Sequence, residues 1–143
     1  MVAAADQHKP PFGLVLTGEA ESWMPALQQI VGPDLVPYRV QGERELLEVV
    51  EAGLADAAVL DEEAEQDIPV LQVLRMIRRM DAMLPVVIVT RRRDRRWLED
   101  ALRLAAFSVV AKPLELESLL RQVQRLMVRL EVALREDMER RQQ

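Results

Sequence analysis

The sequence predicts a doubly wound α/β domain: a five-stranded parallel sheet with helices on both faces. Three observations carry this. Five short apolar runs alternate with stretches whose apolar residues recur every three or four positions. The runs are continuous rather than alternating, which marks strands buried on both faces. The chain has 143 residues, half of them apolar and 30% charged, which suits a single compact domain with a true core.

The elements follow in order. Residues 1–11 form a polar tail ending in Pro10-Pro11. FGLVLT (12–17) is the first strand. ESWMPALQQIVG (21–32) has Trp23, Ala26, Leu27, Ile30 and Val31 at helical spacing, with Pro25 in its first turn and Gly32 as its stop. LVPYRV (35–40) is a strand that Pro37 assigns to a sheet edge. ERELLEVVEAG (43–53) is an amphipathic helix closed by Gly53. DAAVLD (56–61) is the next buried strand, followed by an acidic loop. PVLQVLRMIRRM (69–80) is a helix with Pro69 at its start, and LPVVIVT (84–90) is the clearest strand of all. RRRDRR (91–96) is a basic loop in which Asp94 can cap the helix WLEDALRLAA (97–106). FSVVA (107–111) is the fifth strand, Lys112-Pro113 ends it, and 114–141 is one long helical pattern.

Composition removes several function classes. There is no cysteine, so no disulfide or thiolate chemistry, which fits a reducing, cytoplasmic setting. The single histidine, His8, lies in the tail, away from any triad or His-rich metal site. No apolar run is long enough to span a membrane. A net charge of -5 argues against nucleic-acid binding by this domain.

In such sheets, sites form beyond the carboxyl ends of the strands. That rim collects Thr17-Gly18-Glu19, Asp61, Thr90-Arg91 and Lys112-Pro113. Asp61, Thr90 and Lys112 have complementary chemistry. A carboxylate can attack a phosphoryl group and form an acyl phosphate. A hydroxyl can hydrogen-bond a phosphoryl oxygen, and a lysine can neutralise its charge. Such chemistry needs a hard cation, normally Mg2+.

With Asp61 ending the third strand, Thr90 the fourth and Lys112-Pro113 following the fifth, the chain resembles the receiver domain of bacterial two-component response regulators, the CheY-like superfamily. The resemblance spans about residues 12 to 127. It implies a flavodoxin-like sheet of order 2-1-3-4-5, with Asp61 as phosphoacceptor and Thr90 and Lys112 as phosphate contacts. It also implies a histidine kinase or other signalling protein as partner, and no enzymatic activity of the chain's own. The departures are specific. The family's acidic pair after the first strand, which holds the metal, is Thr17-Gly18 here, with Glu19 displaced by one residue. Arg91 stands where a small residue usually follows the hydroxyl, and Val109 where an aromatic switch residue sits three before the lysine. A metal would be left to Glu19 and Asp61. The expectation is therefore an atypical receiver, a pseudo-receiver, with Mg2+ poorly held. A working phosphoacceptor, with Asp61 modified by a histidine kinase and Glu19 or the Glu62 and Glu63 carboxylates assisting a metal, is the rival within the family. A flavodoxin-like small-ligand binder is the rival outside it, weakened by the lack of a phosphate-cradling glycine loop.

Two further features carry expectations. The acidic loop 62–67 and the basic loop 91–96 leave adjacent strand ends, so Arg91 or a neighbour is expected to reach Asp61 or the acidic loop. The basic run otherwise reads as a solvated loop. The last helix continues beyond Met127, and residues 128–143 read as a helical extension, a coiled coil or a linker to an output domain in a longer protein. Its heptad-like seams place Leu119, Val123, Leu126, Leu130 and Leu134 as candidates for a homodimer contact.

Overall fold

A computed structural model describes residues 12–64, 67–113, 115, 117–118, 121–122, 124–126 and 128–129. The expected tail, the extension from residue 130 onward, and Leu119, Val123, Leu130 and Leu134 lie outside the described residues.

Five strands form one parallel sheet of order β2-β1-β3-β4-β5. They are β1 Phe12–Leu16, β2 Leu35–Arg39, β3 Ala57–Asp61, β4 Val86–Thr90 and β5 Ser108–Ala111. Pro37 lies in β2 at an edge, where its missing N–H breaks no ladder bond. The helices are α1 Met24–Val31, α2 Gly42–Glu51, α3 Val70–Met80 and α4 Arg95–Arg103. A further helical stretch includes residues 117–118, 121–122, 124–126 and 128–129.

The sheet separates two apolar cores, and alternate residues of each strand serve them in turn. Val15, Ala58, Leu60, Val86 and Ile88 face α2, α3 and α4, which contribute Leu46, Val73, Leu74, Ile77 and Trp97. Leu14, Leu16, Ala57, Val59, Val87 and Val89 face the other way, onto Trp23, Met24, Leu27 and Leu126. Leu126 is only 3% exposed. This corrects its assignment as a dimer residue: the domain's own sheet takes that side chain.

Local differences from the sequence reading have physical causes. A 3-10 turn, Gly18–Trp23, precedes α1, and Pro25 in the first turn of α1 lacks the N–H that an earlier α-helical start would require. Pro69 occupies the N-cap position, one residue before the first helical residue of α3. Asp94 is the N-cap of α4, but its carboxylate makes no capping hydrogen bond. Arg92 takes it instead, Nε lying 3.1 Å from Oδ1.

At the amino ends of the strands, Arg78 fastens the exits of α3 and α4. Its guanidinium donates to the carbonyls of Leu84 (2.7 Å), Ala105 (2.9 Å), Leu104 (3.0 Å) and Asp81 (3.3 Å). Ala105 has a positive φ of 60°, costly for a residue with a Cβ, and Arg78 holds that turn by its carbonyl.

Candidate functional site

The register of the sheet builds the rim. Asp61 pairs with Val89 across β3–β4, and Thr90 with Ala111 across β4–β5, so Asp61, Thr90 and the residue just after the fifth strand, Lys112, end side by side. All three are buried, at 2%, 1% and 5% exposure, as is Thr17 at 4%. Four buried polar side chains at one end of an otherwise aliphatic sheet mark a site, because each must find its partners there.

Asp61 has both oxygens engaged. Oδ1 accepts the backbone N–H of Glu63 at 2.9 Å and lies 2.8 Å from Lys112 Nζ. Oδ2 accepts the backbone N–H of Glu19 at 2.8 Å. Its own N–H donates to Thr17 Oγ1 at 2.9 Å. Burial pushes the carboxyl up. The Lys112 contact and the N–H groups of Glu19 and Glu63 outweigh it and hold Asp61 below the usual carboxylate range. Burial pulls Lys112 down, but the charges of Asp61, Glu19 and Glu63 hold it above the usual lysine value. The ammonium meets Asp61 as an ion pair whose angles fall outside hydrogen-bond geometry.

Gly18 explains how the loop after β1 comes so close. Its φ is +57°, and a Cβ there would lie 2.7 Å from Asp61 Oδ2. A side chain of any kind at this position would collide with the carboxylate. Thr17 and Gly18 thus replace a carboxylate pair with a hydroxyl that takes the Asp61 N–H and a bare backbone that closes over its side chain. Glu19 contributes its amide to Asp61, while its carboxylate, half exposed, stands 3.4 Å from Lys112 Nζ.

Thr90 Oγ1 donates to Glu62 Oε1 at 2.9 Å and accepts the Arg92 N–H at 2.9 Å. Its hydroxyl is therefore already committed to a carboxylate of this chain. Arg91 reaches the acidic loop as expected, with Nε 3.5 Å from Glu63 Oε1. Elsewhere in the basic run, Arg92 pairs with Asp94 and lies 5.2 Å from the Trp97 ring centroid, and Arg95 pairs with Glu99 at 2.9 Å. Glu19, Ser22, Arg91, Arg93, Lys112 and Pro113 line an open cleft of about 730 Å3 on this rim.

Of the residues the sequence reading grouped, Asp61, Lys112 and Glu19 are in contact, and Thr90 ends the neighbouring strand. It passed over Glu62 and Glu63 as partners of Thr90 and Asp61. The only signal for either was adjacency to Asp61. A metal ion fits poorly here. Among the described residues, no group of three or more His, Cys, Asp or Glu side chains is placed to hold one. Among the described residues, too, no helix is long and apolar enough to cross a membrane.

No family model and no curated protein matches the chain. Solved structures do. A signal receiver domain from Vibrio parahaemolyticus superposes with a TM-score of 0.71 at 18% identity, covering 87% of this chain and 95% of that one. A two-component response regulator from Clostridium difficile gives 0.69 at 17% identity, covering 83% and 98%. A CheY-like response regulator receiver domain protein from Methanospirillum hungatei JF-1 gives 0.69 at 14%, covering 85% and 98%. The fold of this chain is that of response-regulator receiver domains.

Proposed function

We propose that the chain is a receiver-like module of two-component signalling, in which Asp61 is held as a structural anion rather than used as a phosphoacceptor. One observation carries this reading. Asp61 is 2% exposed, and both of its oxygens are already bonded, to the amides of Glu19 and Glu63 and to Lys112. A nucleophile needs a path for the incoming group, which the burial of Asp61 narrows, and a carboxylate held below its ordinary pKa is also a weaker nucleophile. Thr17 and Gly18 supply no carboxylate for the cation that would offset the charge of an incoming phosphoryl group.

In this reading the module signals by contact with a histidine kinase or another signalling protein, and by self-association through its last helix. Leu119, Val123, Leu130 and Leu134 are the proposed dimer residues. A light-scattering mass of one chain at high micromolar concentration would remove the dimer from the proposal.

Beryllofluoride with Mg2+, a mimic of the aspartyl phosphate, tests the Asp61 reading. Titration of the full chain, followed by calorimetry, is expected to give no saturable binding. Saturable binding that disappears in Asp61→Ala would establish the rival reading of a working phosphoacceptor.

A further inference from the structure

The charges around Lys112 alternate in a closed ring. Glu19 places Oε2 3.4 Å from Lys112 Nζ and Oε1 4.0 Å from Arg91. Glu63 places Oε2 3.7 Å from Lys112 Nζ and Oε1 3.5 Å from Arg91. Each carboxylate therefore bridges the same two cations, one oxygen to each. The loops after β1, β3 and β4 meet in this ring, and Lys112 brings the end of β5 into it.

From this arrangement we propose that Arg91 is a tethered cation standing in for a divalent metal ion, so that the rim is held together without metal. Asp61, Glu19 and Glu63 bring three negative charges to Lys112, which balances one of them. The two left over are the charge that a divalent ion would neutralise. Arg91 offsets one of those two with a permanent positive charge, and its guanidinium spreads that charge over nitrogens that face both carboxylates. It follows Thr90 at the end of β4 and, like Lys112 after β5, reaches both the Glu19 and the Glu63 carboxylates. A metal at Asp61 would share its carboxylate with the Glu19 amide and Lys112, and would gain no carboxylate from Thr17 or Gly18. Arg91 is thus a positioning residue. It fixes the spacing of the loops, and it excludes cations by occupying the carboxylates that would bind them.

The inference deepens the reading of Asp61 above, and its test uses no phosphoryl analogue, so the two can fail separately. The probe is Mn2+, titrated into the 15N-labelled full chain, with paramagnetic broadening of the Glu19, Glu62 and Glu63 amide signals as the readout. The Arg91 side chain is 65% exposed, so its variants should fold. Arg91→Ala is expected to bind Mn2+ roughly tenfold or more tighter than the native chain, since it removes a like charge a few ångströms from the ion. Arg91→Lys, which keeps the charge, should stay within about threefold of native, and so should Arg93→Ala. Adding Glu63→Gln to Arg91→Ala should abolish the gain. The proposal is overturned if the native chain already binds Mn2+ as tightly as Arg91→Ala, if Arg93→Ala gains as much, or if the gain survives Glu63→Gln.

Discussion

Lys112 at the carboxyl ends of the strands and Arg78 at the amino ends pose the same physical problem and solve it differently. Each is a cation drawn into the protein by the element that carries it. Lys112 is met by charges: Asp61 at 2.8 Å, with Glu19 and Glu63 farther out. Arg78 is met by dipoles, four backbone carbonyls at 2.7 to 3.3 Å. Dipoles of the backbone cannot titrate, leave or be replaced by a ligand. They make Arg78 a fastener of two helix exits. Charges can do all three, so the rim keeps the character of a site even though both oxygens of its buried carboxylate have partners.

Removing each cation in turn should give unequal costs. Lys112→Met strands Asp61 as a buried carboxylate without its counter-charge. A loss of about 3–5 kcal/mol is expected, the range for breaking one side of a buried pair. Arg78→Ala frees carbonyls at a partly exposed turn, several of which water can reach, so about 2 kcal/mol is expected. Urea denaturation of both variants beside the native chain measures the order. Arg78→Ala costing more than Lys112→Met would mean that the rim pair is far better solvated than its burial indicates.

The same contrast separates what was legible in the sequence from what was not. Asp61, Thr90 and Lys112 could be placed on one rim because each ends an apolar run, and parallel register aligns strand ends. The 2-1-3-4-5 order followed from the resemblance those residues carry. The backbone partners of Asp61 could not be read, because they depend on loop paths. The Glu19 amide reaches Asp61 only through the left-handed turn at Gly18, and the Glu63 amide only through the tight turn after β3. Thr17 read as a missing acid, and its hydroxyl turned out to accept the Asp61 N–H. Arg78 gave no sign of its role, since an arginine near the end of an amphipathic helix is ordinarily a solvated residue. Asp94 was placed correctly at a helix start, yet a neighbouring guanidinium outcompeted the backbone for its carboxylate.

The smallest effect is the sharpest test of the comparison, because it gives the two poles different pH behaviour. Asp61 is held below the ordinary carboxyl pKa of about 3.9. Its contribution to stability is therefore fully present above that unfolded value and is lost as pH falls through the lower folded value. Lys112 is held above about 10.4, so its contribution is present below that pH and is lost as pH rises through the higher folded value. Between roughly pH 5 and 9 the pair adds no slope. Urea midpoints measured from about pH 2 to 7 should then fall on the acid side in the native chain. In Lys112→Met the burial that pushes Asp61 upward loses its main opponent, and the acid-side fall should shrink. Arg78→Ala should lie below the native chain throughout and keep most of its acid slope, because the carbonyls it frees take up no proton and, among the described residues, only the Asp81 carboxylate lies near enough to feel its charge. An acid slope that changes in Arg78→Ala and persists in Lys112→Met would place the titrating charge outside the rim and break the distinction between the two poles.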